Sequence, residues 1–205
     1  MFKPTTLLLA AGLTLWGGLA TAQDTSEEAT GDDTAAQSSP FEDLGTPEGE
    51  ADPNAPFIRE MFGDWALRCI RSAQNTDQCQ LYQLLLGPDG TPISEVSIVP
   101  LNNAGSAVAG AVVVVPLETQ LTEQLTLRVD GSEGRRYEFD FCNIAGCIAR
   151  FGLTEAQVAQ FKAGSAGTLE IVPAAAPDQR IELSMSLSGF TAGYTTMEEE
   201  LNSQQ

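Results

Sequence analysis

The chain has 205 residues, of which 28 are acidic, 10 are basic and none is histidine, giving a formal charge of -18 at pH 7. So acidic a chain has no electrostatic attraction for a phosphate backbone, which excludes nucleic acid as a partner. Without an imidazole, Ser-His-Asp and Cys-His catalysis, histidine-ligated metals and a histidine pH sensor are all ruled out.

In chain order, residues 1–22 read as a cleaved export leader. Lys3 is the basic start, Leu7 to Leu19 the apolar stretch, and Ala20-Thr21-Ala22 the small-residue ending. The apolar stretch falls short of the ~20 residues that a membrane-spanning helix needs. Cleavage near Ala22 places the mature chain in the periplasm or outside the cell. The apolar run Ala107 to Val115 is of strand length and ends at Pro116, so no later segment is long enough to cross a bilayer as a helix.

Residues 23–56 form an acidic tether with ten carboxylates, no basic residue and few large apolar side chains. Such a composition cannot bury enough surface to offset the entropy of ordering, so a disordered, self-repelling spacer is expected. The folded domain is expected over 57–197, with fifteen acidic residues against nine basic ones, a net charge near -6, and 198–205 as an acidic flexible tail. Its length suits one domain with one core.

Within that domain, short apolar and β-branched runs alternate with turn residues, predicting a mainly β structure. Trp65, Leu67 and Cys69 share one face of the first expected strand. Leu81 to Leu86 forms the second, closed by Gly87-Pro88-Asp89-Gly90. Further strands are expected over 93–99, 111–115, 125–129, 137–141, 148–151, 168–172 and 181–187, with a reversal at Asp130-Gly131-Ser132-Glu133-Gly134. One helix is signalled from Thr154 to about Lys162. Thr154 and Gln157 make a capping box, Leu153 and Val158 a hydrophobic staple, and Gly164 the stop. The fold expected is a disulfide-stapled β-sandwich with one short helix, or a partly open barrel.

The four cysteines, Cys69, Cys79, Cys142 and Cys147, allow three pairings. Export permits oxidation, and two disulfides are expected. Cys142 and Cys147 bracket a four-residue loop containing Gly146, so they face each other across a hairpin, which leaves Cys69 with Cys79. Chain entropy alone favours longer loops. The C-x9-C and C-x4-C spacings differ from the redox C-x-x-C, and a zinc site would lack any histidine.

The ordered set Gly63-Asp64-Trp65, Cys69, Cys79, Val115-Pro116-Leu117, Cys142, Gly146-Cys147-Ile148-Ala149 and Ser186-Leu187-Ser188-Gly189-Phe190 resembles the bacterial invasion-associated locus B family over residues 61–197. The resemblance implies an exported envelope protein, with no catalytic activity or cofactor established for the family as a whole. The family takes its name from an association with host-cell entry, and nothing in this sequence points to a host. Only the cysteine pairs and the Ser-Leu-Ser-Gly-Phe signature carry over, both as structural features.

The leading functional expectation is a non-enzymatic domain that presents a surface to a protein or an envelope component, with no catalytic residue, cofactor or metal. The alternative is a glycan hydrolase using two carboxylates, the acid-base scheme still open without histidine, with Glu95, Glu138 and Asp140 as candidates. Glu138 and Asp140 would share one face of the expected 137–141 strand. A third reading is a small-ligand carrier, in which Arg135 and Arg136 grip a carboxylate or phosphate, unless acids such as Glu133 neutralise them.

Overall fold

In the computed structural model the described residues are Asp52, 55–72 and 77–203. The expected leader and almost all of the acidic tether lie outside them. No described helix is long and apolar enough to cross a membrane.

Among the described residues eleven strands form two antiparallel sheets. The first sheet contains β1 (Phe57–Phe62), β2 (Trp65–Ile70), β3 (Gln78–Leu86), β4 (Pro92–Ala104), β5 (Ala107–Val115), β8 (Phe141–Asn143) and β9 (Gly146–Thr154), in the order β1-β2-β3-β4-β5-β9-β8. The second contains β6 (Leu125–Val129), β7 (Arg135–Tyr137), β10 (Ala166–Ile171) and β11 (Ile181–Ser186), in the order β11-β10-β6-β7. Helix α1 (Glu155–Ala163) packs on β5 and β9, and α2 (Phe190–Ser203) packs on β1 to β4. The second sheet meets the first at β3 and β9.

The core follows from side-chain alternation. Along β5, Ala109, Ala111, Val113 and Val115 are buried, while Val108, Gly110, Val112 and Val114 face the other way and remain half-exposed. Leu67 and Cys69 of β2, Leu81 and Leu85 of β3, Val96 and Ile98 of β4, and Cys147, Ala149 and Leu153 of β9 complete the inward side. Leu125, Leu169, Leu183 and Met185 answer from the second sheet. The architecture is thus mainly β, two-sheeted and without a closed barrel.

Three departures from the sequence reading have local causes. Strand β1 went unread because a bulge between Ile58 and Glu60 breaks its alternation, so its apolar residues at 57, 58, 61 and 62 match no single period. The expected 137–141 strand is divided. Tyr137 ends β7 in the second sheet, Phe141 begins β8 in the first, and 138–140 crosses between them.

The third departure is α2, a second helix that continues through Glu198, Glu199 and Glu200, where a tail was expected. Phe190, Tyr194 and Met197 recur at helical spacing and are buried, but Gly193, Thr191, Thr195 and Thr196 are poor helix formers that mask the signal. Tertiary contacts hold the helix. Lys162 donates to Glu198 at 3.0 Å, and Arg59, the bulged residue of β1, donates to Glu200. Burial and nearby Glu198 push the Tyr194 hydroxyl up to about 12, and it donates to the Val108 carbonyl at 3.2 Å.

Helix α1 begins with the expected capping box. The Gln157 backbone N–H donates to Thr154 Oγ1 at 3.4 Å, and the Thr154 N–H donates to Gln157 Oε1 at 3.0 Å. Gly164 ends it, though not through a left-handed turn, since its φ is -80°. Space is the reason for glycine here, because a Cβ would lie 2.6 Å from Val129 Cγ1.

The Asp130-Gly131 reversal, by contrast, does use positive φ, 45° and 70°. Asp130 also accepts the backbone N–H groups of Ala166 and Ser165, and these bonds hold its carboxyl below its ordinary value. A depressed carboxylate contributes stability that is present above the unfolded-state pKa and lost as pH falls through the folded value. Asp130→Asn therefore lowers the thermal midpoint at pH 7, and its deficit against the parent shrinks as the pH falls below the ordinary aspartate value and through the depressed folded one. A pH-independent deficit in differential scanning calorimetry would refute this linkage.

Candidate functional site

The two segments that carry the Gly-Asp-Trp and Ser-Leu-Ser-Gly-Phe motifs meet where the sheets join. Gly63 (φ 56°) and Gly189 (φ 86°) bring their backbones into contact, and the Asp64 N–H donates to the Ser188 carbonyl at 3.1 Å. Trp65 Nε1 donates to the Ser186 carbonyl at 2.8 Å, and Ser186 Oγ donates to Asp64 Oδ2 at 2.6 Å.

Buried Gln83 completes this junction. Its amide nitrogen donates to the carbonyls of Asp64 and Ser186, and its oxygen accepts the Ser186 N–H at 2.8 Å. Phe190 lies 5.4 Å, ring centroid to centroid, from each of Trp65, Phe161 and Tyr194. Every polar group named here serves the join between sheets, so the signature motifs are architectural.

The disulfides are Cys69–Cys79 and Cys142–Cys147, and no described cysteine is free. The first joins facing residues of β2 and β3 and pins their register, and the second joins facing residues of β8 and β9. Gly146 is required at the second bridge, because a Cβ there would lie 2.3 Å from the Val115 carbonyl oxygen.

Once Cys69 stands opposite Cys79, Arg68 falls beside Gln80, and Ala66 beside Tyr82, on the face of the first sheet turned away from the core. The Arg68 guanidinium lies 3.8 Å from the Tyr82 ring centroid and 3.6 Å from Glu95 Oε2. With the Gln80 amide oxygen turned toward it, Arg68 also donates from Nη2 at 2.9 Å and from Nε at 3.3 Å. Burial and Glu95 push the Tyr82 hydroxyl above its ordinary value, against the opposing pull of Arg68.

Around this cluster the same face exposes apolar side chains. One row across the strands reads Phe141, Ile148, Val114, Glu95 and Leu84, and the adjacent row reads Arg150, Val112, Ser97, Tyr82, Ala66 and Met61. Met61 is 59% exposed, Leu86 48%, Phe141 45% and Leu84 40%, although all four are large and apolar. Sequence alternation places these residues opposite the core. It does not say whether another layer covers them.

Glu95 and Asp140 do not form a two-acid cleft. Glu95 of β4 pairs with Arg68 of β2, while Asp140, beside β8, accepts from Arg150 Nε at 3.0 Å. Three strand spacings, ~14 Å, separate these sites, beyond either glycosidase geometry. Glu138 is exposed on the crossing segment and shares no strand with Asp140. The described residues contain no cluster of three or more His, Cys, Asp or Glu able to hold a metal. Arg135 and Arg136 stand in β7 opposite Leu127 and Thr126, so alternation points them to opposite faces and they cannot grip one anion together.

The invasion associated locus B protein family model matches residues 65–198. Two curated proteins named invasion protein B homolog, from Brucella abortus strain 2308 and from Brucella abortus biovar 1 strain 9-941, are each 26% identical over 139 residues, covering 67% of this chain and 78% of theirs. The crystal structure of invasion associated protein B from Bartonella henselae superposes with a TM-score of 0.59 at 23% identity, covering 70% of this chain and 97% of that one. That likeness extends to the fold. With the family model spanning most of the chain, including both cysteine pairs, Trp65 and the Ser-Leu-Ser-Gly-Phe motif, the protein belongs to the invasion associated locus B family.

Proposed function

We propose that this chain is an exported bacterial envelope protein and that its domain is a non-enzymatic binding module, docking another protein on the outward face of the first sheet. The Tyr82–Arg68 centre, which the described residues leave part-exposed within an apolar surround, carries the reading, since tyrosine, arginine and methionine are enriched where proteins associate. The chain's charge of -18 and the presence of Glu95 within the patch favour a protein over an anionic lipid surface. The leader pattern and the two disulfides support residence in an oxidising compartment. The separation of Glu95 from Asp140, and the ion pair each makes with an arginine, support a role other than glycan hydrolysis.

The test uses the full chain expressed from its own leader in the native cell, with a photo-crosslinking amino acid at position 84 or at position 182 on the outward side of β11. Irradiation is expected to give a discrete higher-mass adduct from position 84 and none from position 182. No adduct from 84, or equal adducts from both, would sink the assignment of this face.

A further inference from the structure

Between α1 and the hairpin joining β6 to β7 lies a depression of about 490 Å³, lined by Ser132, Glu133, Gly134, Arg135 and Gln160. It adjoins a recess of about 20 Å³ that shares Ser132, Glu133, Arg135 and Gln160 and reaches Tyr137. Two opposite charges stand in one concave surface. Arg59, Arg68, Arg128, Arg150, Lys162 and Arg180 each pair with a carboxylate. Arg135 and Glu133 make no ion pair with each other or with any other described residue.

The framework around them is held in place. Strand β7 pairs Arg135 with Leu127 and Tyr137 with Leu125. The Tyr137 ring stacks on Phe151 at 3.7 Å, and its hydroxyl oxygen accepts from Gln157 Nε2 at 2.7 Å. Gln157 is fixed in turn by the capping box, so its amide can only donate to Tyr137 and the phenolic proton is left to donate elsewhere. Arg135, Tyr137 and Gln157 line the small recess together, and burial pushes the Tyr137 hydroxyl up while Gln157 and Arg135 pull it down.

A guanidinium beside a neutral O–H donor suits a carboxylate, and Glu133 in the same wall suits an ammonium. A phosphate dianion would find one cation and a repelling carboxylate. The site is therefore complementary to a molecule that carries both charges and is neutral overall. We propose that this depression binds a small zwitterion of the amino acid or dipeptide class, its carboxylate on Arg135 at the mouth of the recess that Tyr137 lines and its ammonium on Glu133. The proposal does not depend on the outward face of the first sheet.

The test is titration of the ¹⁵N-labelled, oxidised mature chain with alanyl-alanine, with acetate and with inorganic phosphate. The dipeptide is expected to shift the amides of residues 132–137 and Gln160, with a Kd below about 50 mM. Arg135→Gln is expected to weaken it about tenfold, and Glu133→Gln to weaken it several-fold while strengthening acetate. Both side chains are exposed, so an unchanged thermal midpoint verifies that the variants fold. Acetate or phosphate binding as tightly as the dipeptide, dipeptide binding indifferent to both substitutions, or no shift of these amides by 50 mM would each overturn the proposal.

Discussion

Gly189→Ala is expected to cost about 4 kcal/mol or more, enough to unfold a large fraction of a domain whose total stability is of order 5–15 kcal/mol. A Cβ at this position would lie 1.9 Å from the Phe62 carbonyl oxygen and 2.8 Å from the Gly63 nitrogen. Both atoms belong to backbone, so no rotamer change relieves the clash. Moving the segments apart would break the Asp64–Ser188 hydrogen bond and open the join between the sheets. The positive φ of 86° adds its own cost of ~1–2 kcal/mol for a residue with a side chain.

Gly131→Ala separates the two causes. Gly131 has a φ of 70° but no atom within 4 Å of an added Cβ, so only the conformational cost of ~1 kcal/mol remains. Urea unfolding of the two variants measures the difference. Equal losses would mean that the glycine contact does not lock the sheets.

Trp65→Ala is expected to cost about 4 kcal/mol, mostly through the cavity it leaves. Trp65 is fully buried and meets Phe190 edge to face. Its indole N–H bonds to the Ser186 carbonyl, but that carbonyl keeps a second donor in Gln83 at 3.0 Å, so removing the indole does not strand a buried acceptor. Trp65→Phe, which keeps an aromatic ring in the space, should lose only about 1–2 kcal/mol. A phenylalanine variant as unstable as the alanine one would show that the hydrogen bond outweighs the packing. Phe190→Ala combined with Trp65→Ala should cost less than the separate losses together, because the two rings share one cavity.

Features set by neighbours in the chain were legible before the structure. The spacing of Trp65, Leu67 and Cys69 marks an inward face, Thr154 and Gln157 mark a helix start, and the spacing of Cys142 and Cys147 marks a bridged hairpin. Each depends on residues close in sequence, whose geometry the backbone period fixes. The bulge at Arg59 erased the signal of β1. The segment after Tyr137 kept a strand-like pattern while the chain changed sheets, because alternation registers burial but not the identity of the neighbouring strand.

The candidate sites were less legible for the same reason. Arg68 and Tyr82 could have been placed as diagonal neighbours on one face by counting back from Cys69 opposite Cys79, since a disulfide between facing residues sets an antiparallel register. Nothing local shows that this face is uncovered, or that Gln83 spans from β3 to Asp64 and Ser186. The amino-acid order thus determined the strand faces, the cap and the cross-links, all products of short-range stereochemistry. Only the tertiary structure decided which sheet each strand joins, which face the described residues leave bare, and that Arg135 and Glu133 share a hollow without pairing, because these outcomes depend on segments brought together from distant parts of the chain.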